Sequence, residues 1–223
     1  MAKRIFLHPV SPQPKKVFEA VDSLRADHIL LLPTDTQYAI GCVYSNKRGL
    51  DRIRSIRRLE ASHTFTLIID SMTGLSTFAH ISDAHYKLIK RLIPGPYTFI
   101  LPATKAVPNL LVHPKRKTIG FRVPGTQICS TLLTELGSPI LAVTAQEMSG
   151  DGPLLTRELL IEKLNPVLDL ILDDEVEPSN LQTTVLNLTG STPVVQRRGA
   201  GFDEVENVFA LLNIPMENEE VFE

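Results

Sequence analysis

The sequence predicts an α/β protein: a single domain with a twisted, mostly mixed β-sheet and flanking helices. Three observations predict it. Short apolar runs alternate with amphipathic segments along the chain. Several of these runs are apolar almost without interruption, which is typical of strands covered on both faces. The 223 residues contain no Ser/Gly-rich linker, internal repeat or low-complexity tract, and a chain of this length can bury a large core.

Eight short runs are predicted to be strands because they are rich in Val, Ile, Leu, Thr and Phe and are bounded by Pro or Gly. In chain order they are RIFLHPV, HILLLPT, FTLIID, YTFILPA, KTIGFRV, PILAVTA, LDLILDD and TTVLNLT. Five segments with apolar residues three or four positions apart are predicted to be amphipathic helices. They are KKVFEAVDSLRAD, NKRGLDRIRSIRRLE, SDAHYKLIKRLI, TQICSTLLTEL and TRELLIEKL. We expect Ser82 to cap the third helix and Gly137 to end the fourth.

These elements divide the chain into an N-terminal strand and lead-in (1–14), the α/β domain (15–202), and a C-terminal helix with an acidic tail (203–223). No apolar run reaches the roughly 18 residues of a membrane-spanning helix, and the first residues do not resemble a secretory signal. We therefore expect a cytoplasmic protein without membrane contact. Cys42 and Cys129 are too few for a disulfide framework or a zinc site, so buried thiols are expected.

Charge is distributed unevenly along the chain, although the formal net charge is only -2. Residues 46–60 contain six Lys or Arg and two acids, and residues 105–122 contain five Lys or Arg and no acid. Residues 201–223 contain seven acids and no Lys or Arg. Basic segments in a nearly neutral protein indicate local anion binding. The alternative is two solvated faces and a disordered acidic tail.

Common nucleotide-binding and catalytic motifs are missing, including the P-loop, the dinucleotide fingerprint, the zincin His pair and the nucleophile elbow. Polar groups recur instead at strand ends. PTDT (33–36) follows an apolar run and is either a turn or a ligand-binding rim. Thr118, Gly120 and Arg122 share one side of a predicted strand. Because an isolated buried guanidinium is strongly disfavoured, Arg122 either lines a cleft that binds an oxyanion or lies on a sheet face open to solvent.

The segment PGPYTFIL (94–101) is a stiff turn before an aromatic strand. Two prolines around a glycine fix the chain direction and stop the preceding helix. Because these residues offer little chemistry beyond shape, we interpret the segment as a structural corner.

Five motifs, in this order and at these separations, resemble the YrdC-domain family, the threonylcarbamoyl-AMP synthases, and most closely its YciO branch. They are PTDTQYAIG, PGPYTFIL, KTIGFRVP, ILAVTAQEMSG and TTVLNLTGSTPVVQRRGAG. The resemblance runs from about Lys15 to Phe202. It implies a twisted α/β sheet with a large basic concave face, which is the active site in the synthases.

The resemblance implies a reaction in which L-threonine, bicarbonate and ATP form threonylcarbamoyl-adenylate and pyrophosphate. The adenylate then serves the N6-threonylcarbamoyladenosine modification of tRNA. A carbamate oxygen must attack the α-phosphorus in line, so catalysis consists mostly of positioning and charge neutralisation. Mg²⁺ is implied as a cofactor that enters with ATP, without a protein-bound metal site, and no catalytic residue is assigned.

Position by position, the resemblance assigns Thr34, Arg122 and Thr183 to the substrate threonine, with Arg122 at its carboxylate. It assigns a second set of residues to the nucleotide, to which we add Arg54, because it lies three residues before Arg57 on the same helical face and can compensate for the lost cation. This set is Arg54, Arg57, Thr118, Thr144 and Arg197.

Several positions depart from the family pattern. Asp35 replaces the usual glutamate, and Ser-Ala-Asn becomes Thr144-Ala145-Gln146 after Val143 instead of proline. Lys-x-Arg becomes Arg57-Arg58-Leu59, which loses one phosphate-facing cation and replaces a compact ammonium with a planar guanidinium. Because these changes cluster at the nucleotide end, the resemblance implies the threonine pocket more strongly than efficient ATP chemistry.

Two other functions stay open. A binding module would hold double-stranded RNA or tRNA on the same basic surface without forming the adenylate. Against it, no stretch interleaves aromatic residues with Arg, and Trp is absent. A carbamoyl-transferring enzyme would use a related pocket, but the larger proteins of that kind carry domains that this chain lacks.

Overall fold

The computed structural model describes residues 1–60, 63–113, 115–145 and 155–218. Its contacts group the chain into two compact units. We call them unit 1 (Met1–His63 and Gly125–Asn180) and unit 2 (Thr64–Pro124 and Leu181–Glu223). In the described ranges, no helix is long and apolar enough to cross a membrane. The proposed boundaries after residues 14 and 202 stay predictions.

Strands and helices alternate along the chain, as the sequence predicts. The strands are β1 (Lys3–Phe6), β2 (Leu30–Leu32), β3 (Ala39–Val43), β4 (Thr66–Ile68), β5 (Tyr97–Pro102), β6 (Thr118–Arg122), β7 (Ile140–Thr144), β8 (Leu170–Asp173), β9 (Thr184–Asn187), β10 (Val194–Arg197) and β11 (Glu217–Asn218). The helices are α1 (Pro14–Arg25), α2 (Lys47–Arg57), α3 (Met72–Phe78), α4 (Asp83–Leu92), α5 (Gln127–Leu136), α6 (Arg157–Leu164) and α7 (Phe202–Leu212).

In unit 1 the strand order is β1-β8-β2-β3-β7. β8 pairs in parallel with β1 and β2, whereas β3 pairs antiparallel with β2 and β7. Every residue of β2 and β8 is buried, which explains their uninterrupted apolar sequences. Helix α1 packs against α5, and the apolar face of α1 buries Val17, Val21 and Leu24.

In unit 2 the strand order is β4-β6-β5-β9-β10-β11. β6 is parallel to β4 and antiparallel to β5, β5 is parallel to β9, and β9 is antiparallel to β10. Along β5, Tyr97, Phe99 and Leu101 are buried, whereas Thr98 and Ile100 are only half-buried. Because side chains alternate between the faces of a strand, one face of this sheet belongs to the core and the other is partly open.

The α/β class, the mixed pairing and the flanking helices are confirmed, and each of the eight predicted strands overlaps an observed strand. The five predicted helices are present, and α7 is the helix expected near the C-terminus. The hydroxyl of Ser82 accepts a hydrogen bond from the His85 N–H at 3.2 Å, and Gly137 ends α5 at a φ of 69°. Both predicted helix-end signals are therefore confirmed.

Three strands and one helix were not predicted. β3 contains Gly41, where a Cβ would lie 2.7 Å from the Ile140 side chain. β10 and β11 are short and contain polar residues, and α3 (MTGLSTF) is rich in residues of low helix propensity. Tertiary packing, rather than local preference, sets these four elements.

The two cysteines are buried thiols, as predicted. Burial, followed by the charge of Asp27, raises the pKa of the Cys42 thiol to about 12. The Cys129 Sγ donates to the Pro33 carbonyl oxygen at 3.3 Å. The Cys42 thiol is therefore not a nucleophile at neutral pH, because the reactive form is the thiolate.

Candidate functional site

The PTDT turn (33–36) directly follows the buried strand β2. The Thr34 hydroxyl donates its only hydrogen to the Gln37 carbonyl oxygen at 2.5 Å and accepts the Thr36 N–H at 3.3 Å. Toward any further group, the Thr34 oxygen can therefore act only as an acceptor. Thr36 and Gln37 are buried, so the turn is a fixed part of the fold and not a mobile surface loop.

Contacts with three other segments of unit 1 hold the same turn. An Asp35 carboxylate oxygen accepts the Gly125 N–H at 2.8 Å, two residues before α5 begins. The Thr36 carbonyl accepts the Ser179 N–H at 2.9 Å. The Tyr38 carbonyl accepts the Ala145 N–H at 2.8 Å, and the Tyr38 hydroxyl donates to Asp174 at 2.5 Å. The shorter Asp35 thus still serves as an anchor.

Helix α2 supplies two half-buried arginines, Arg54 and Arg57, from its last turn. The Arg57 Nε donates to the Thr144 carbonyl oxygen at 2.7 Å, so two predicted nucleotide residues are in direct contact. Partial burial, and then the charges of Arg57 and Arg54, lower the pKa of His63. His63 therefore belongs to this cationic group, although a single His in a basic segment gave no signal in the sequence.

The altered Lys-x-Arg motif lies where α2 ends. Arg57 is the last helical residue, and Arg58 caps the helix in the left-handed conformation at a φ of 51°. Arg58 is exposed, whereas Arg54 and Arg57, three residues apart, share one face of the helix. Gln146, the altered end of the Ser-Ala-Asn motif, lies outside the described residues.

In unit 2, β6 is buried along its whole length, including Thr118 and Arg122, which is 9% exposed. The side chains of Thr118 and Arg122 are therefore shielded from solvent, although they share the partly open face of the sheet with Ile100, the β5 partner of Gly120. Between them, a Cβ on Gly120 would lie 3.0 Å from the Thr66 hydroxyl and 3.4 Å from the Thr98 methyl. Hydroxyl-bearing side chains thus flank Gly120 from both neighbouring strands.

Arg197, at the exposed end of β10, holds Thr183, the residue just before β9. Its Nε donates to the Thr183 carbonyl at 2.9 Å, its Nη2 donates to the Thr183 hydroxyl at 2.8 Å, and its Nη1 donates to the Gln182 side chain. The pairing of β10 with β9 shifts register between Val195 and Arg197, an irregularity of the kind that re-aims a side chain. Partial burial, and then the charge of Arg122, lower the pKa of Arg197.

Gly199, which follows the two arginines, lies where the chain needs a residue without a side chain. A Cβ there would clash with the Gln182 carbonyl oxygen and lie 2.6 Å from that of Thr183. The glycine therefore permits close approach of two backbones, and the Gly199 N–H reaches the Thr184 hydroxyl at 3.0 Å. The role of this glycine is thus packing, in agreement with the missing dinucleotide fingerprint.

The structure gathers the predicted residues into two sets. Unit 1 brings Arg57 to Thr144, with Arg54 on the same helical face and Thr34 held in the turn after β2. Unit 2 brings Arg197 to Thr183 by two hydrogen bonds and to Arg122 electrostatically, while Thr118 lies on the same strand as Arg122. Each set contains guanidinium groups, which are suitable donors for phosphate and carboxylate oxygens.

Comparison with known proteins identifies the family of this chain. The sequence model of the family described as Telomere recombination, which covers Sua5, YciO and YrdC, matches residues 22–199, in both units. A Haemophilus influenzae protein described only as uncharacterized is 39% identical over 205 residues, which cover 90% of this chain and 97% of that protein. YciO of Escherichia coli is 37% identical over 201 residues, with the same coverage of both chains. The crystal structure of E. coli YciO matches with a TM-score of 0.84.

A more distant relative carries a named activity. The threonylcarbamoyl-AMP synthase of Pyrococcus abyssi is 26% identical over 201 residues, which cover 89% of this chain but 58% of that protein. The crystal structure of P. abyssi Sua5 complexed with L-threonine has the same fold, with a TM-score of 0.82 at 24% identity, and covers 97% of this chain and 62% of that one. The family match over most of the chain and the two relatives above 30% identity lead to one conclusion: the chain belongs to the Sua5/YciO/YrdC family.

Proposed function

We propose that this protein forms threonylcarbamoyl-adenylate from L-threonine, bicarbonate and ATP, for the N6-threonylcarbamoyladenosine modification of tRNA. One observation carries the proposal: Arg197 donates to both the carbonyl and the hydroxyl of Thr183, and partial burial, followed by the charge of the buried Arg122, lowers the pKa of Arg197. Guanidinium groups beside hydroxyls suit the oxygens of an anionic ligand. The activity named for the P. abyssi relative uses two such ligands, an amino-acid carboxylate and a nucleotide.

We assign the substrate threonine to Thr34, Arg122 and Thr183. The Thr34 oxygen acts as an acceptor, because its hydrogen is engaged with the Gln37 carbonyl, and this suits an ammonium or amine N–H. The Arg122 guanidinium suits the carboxylate, which it can bind through two parallel hydrogen bonds. The L-threonine complex of P. abyssi Sua5 supports a threonine site in this fold.

We assign the nucleotide to Arg54, Arg57, Thr118, Thr144 and Arg197. Arg57 is fixed by its bond to the Thr144 carbonyl, so its Nη groups are held in a defined direction. The residues assigned to threonine and to the nucleotide carry guanidinium or hydroxyl groups, whereas Mg²⁺ prefers carboxylate, carbonyl and water oxygens. Over the described residues there is also no group of three or more His, Cys, Asp or Glu side chains that could hold a metal. We therefore propose that Mg²⁺ arrives on the ATP phosphates and neutralises their charge.

The reaction then proceeds through binding and orientation. The threonine amine adds to bicarbonate with loss of water, and the resulting carbamate oxygen forms a bond to the α-phosphorus. The bond from the α-phosphorus to the bridging oxygen breaks, and pyrophosphate leaves. The arginines hold the carboxylate and the phosphates close together and stabilise their negative charge. The reaction needs no nucleophile from the protein, because the carbamate oxygen is itself the nucleophile.

Pyrophosphate release with ATP, Mg²⁺, bicarbonate and L-threonine tests the proposal directly. We expect release that depends on all four components, and we expect titration calorimetry to detect binding of L-threonine. Arg197→Ala should lower kcat/KM for release by about 100-fold, while Arg198→Ala, which removes a neighbouring cation stacked on Phe202, is the matched control. If millimolar ligands give neither heat nor pyrophosphate, the proposal is wrong.

RNA binding is a second candidate, favoured by one observation. Lys115, Arg116 and Lys117 are consecutive and exposed in unit 2. A complex held by such phosphate contacts should weaken steeply as salt rises. RNA affinity that is undetectable at low salt, or that does not change with salt, would exclude this candidate.

A further inference from the structure

Thr98 lies in PGPYTFIL, the segment that the sequence analysis interprets as a structural corner. That corner does fix the chain: the Gly95 N–H donates to the Val123 carbonyl at 2.9 Å, and the Tyr97 hydroxyl donates to the Gly201 carbonyl at 3.3 Å. These contacts hold Tyr97 in register with Thr184 of β9. Thr98 consequently projects from the opposite, half-buried face of β5.

On that face, the Thr98 hydroxyl lies 3.0 Å from the Thr183 hydroxyl. Two hydroxyls at this distance share one hydrogen bond, and either can donate. The direction of that bond decides what Thr183 offers to a ligand.

Arg197 bears on the direction of the hydrogen bond between Thr98 and Thr183. A guanidinium can only donate, so its Nη2 occupies one of the two lone pairs of the Thr183 hydroxyl at 2.8 Å. Its Nε also binds the Thr183 carbonyl, which holds the backbone and side chain of Thr183 in one geometry. If Thr98 donates to the second lone pair, both lone pairs of Thr183 are used and its proton is directed outward.

A ligand oxygen with negative charge selects this arrangement. Donation by Arg197 and Thr98 polarises the Thr183 O–H and makes it a better donor, since hydrogen bonds in a chain strengthen one another. The reverse direction, with Thr183 donating to Thr98, would leave Thr183 no proton for such an oxygen. The Arg197 guanidinium, which donates to the Thr183 hydroxyl, favours a negatively charged oxygen beside it.

We infer that Thr98 is a positioning residue that directs the Thr183 hydroxyl proton toward an acceptor oxygen of the substrate, a carboxylate or carbamate. This inference rests on the proposed function, because it specifies which chemical group of the amino acid meets Thr183. It also gives PGPYTFIL a role in binding in addition to its role as a corner.

Two variants isolate the hydroxyl. Thr98→Ala and Thr98→Ser both remove the methyl group, and only Thr98→Ser retains the hydroxyl. We expect Thr98→Ala to weaken L-threonine binding by about 10-fold, because the hydrogen bond from Thr183 to the charged ligand oxygen is lost. Thr98→Ser should bind within about 2-fold of the wild type. ATP affinity should stay within about 2-fold in both variants, since Thr98 acts on the amino-acid group.

Thr104→Ala is the matched control, because the Thr104 hydroxyl is also engaged within unit 2, where it donates to the Thr77 carbonyl at 2.9 Å. It should leave L-threonine binding unchanged. Urea unfolding of all variants identifies any loss of folded protein, and Thr98→Val, which keeps the side-chain shape, repeats the test if Thr98→Ala does not fold.

Calorimetry distinguishes failure of the proposed function from failure of the role inferred for Thr98. If the wild type does not bind L-threonine, the proposed function fails and this inference fails with it. If the wild type binds but Thr98→Ala and Thr98→Ser have equal affinities, or if ATP and L-threonine weaken together, only the role of Thr98 is overturned.

Discussion

Two pairs of arginines, one in each unit, show what the same side chain does in different surroundings. In unit 1, Arg4 and Arg157 converge on Asp173, which is 0% exposed. Arg4 Nε lies 2.7 Å from one carboxylate oxygen, and Arg157 Nη1 lies 2.7 Å from both. In unit 2, Arg197 lies near Arg122, and its hydrogen bonds go to the uncharged acceptors Gln182 and Thr183.

The pKa shifts of Arg4 and Arg157 are opposite in direction to that of Arg197. A hydrogen bond to Glu158, aided by Asp173, raises the pKa of Arg4. Burial opposes the charge of Arg157, but its contacts with Asp173 outweigh this effect and raise its pKa. Partial burial and the charge of Arg122 instead lower the pKa of Arg197. The fold supplies the anion for the first pair, which therefore serves stability. The hydrogen bonds of Arg197 go to uncharged groups instead, and we expect this residue to serve binding.

The largest expected effect comes from removing Asp173, the anion that holds Arg4 and Arg157. Asp173→Ala removes the buried carboxylate and leaves two cations facing one another, so the free energy of unfolding should fall by about 3 kcal/mol. Urea denaturation measures the change. Arg52→Ala, which breaks the more exposed pair with Asp169, is the control and should lower it by less than about 1 kcal/mol. Equal losses would remove the distinction between a structural and a surface pair.

The second largest effect is expected from removing Arg197 from its pair with Arg122. Arg197→Ala should lower kcat/KM for pyrophosphate release by about 100-fold, while the free energy of unfolding changes less than in Asp173→Ala. Removing a cation beside Arg122 relieves repulsion and so offsets part of the lost hydrogen bonding. Steady-state kinetics and urea unfolding of the same preparation test both statements. A variant that loses stability but keeps its activity would reverse the assignment.

A smaller effect separates the two ligands. Arg122→Ala should weaken L-threonine binding by about 10-fold and ATP binding by less than about 3-fold, since its guanidinium is assigned to the amino-acid carboxylate. Titration calorimetry with each ligand alone measures the two affinities. Losses of equal size would contradict the assignment of Arg122 to threonine.

The smallest effect concerns pH and the cations of α2. Partial burial and the charges of Arg57 and Arg54 lower the pKa of His63, so the folded chain protonates it less readily than the unfolded chain. Its contribution to stability is therefore full above about pH 6.5 and is lost as the pH falls through its folded pKa. Bound phosphate should raise this pKa again.

ATP affinity should consequently increase by about 2-fold between about pH 7.5 and 6, with uptake of protons, as linkage requires. Calorimetry in buffers of different ionisation enthalpy measures that uptake. His63→Gln should remove it, whereas His80→Gln, which changes an exposed histidine of unit 2, should not. Proton uptake that persists in His63→Gln would place the titrating group elsewhere.

Apolar periodicity predicted the elements whose burial dictates their sequence, such as β2, β8 and α4. It missed β3 and β10 because their pairing depends on Gly41 and on the irregular register before Arg197. Local composition does not encode such contacts, which join residues far apart in the chain.

The site was predicted to a similar extent and for a related reason. Ordered motifs identified Thr34, Arg57 and Thr183 as candidates, and their roles stay predictions. Sequence reasoning missed Thr98, because its hydroxyl meets Thr183 across 85 positions through the register of β5 and β9. A small polar residue in a strand is common, and only its neighbour across the sheet gives it meaning.

The burial of both cysteines has a practical consequence. With the Cys42 thiol at a pKa of about 12 and Cys129 enclosed, maleimide dyes should spare both in the folded protein. Arg48→Cys or Lys115→Cys, each at an exposed position, would then give a selective point of attachment without prior removal of the natural thiols. Fluorescence from such a dye could follow ligand binding in each unit separately, in protein whose core is unaltered.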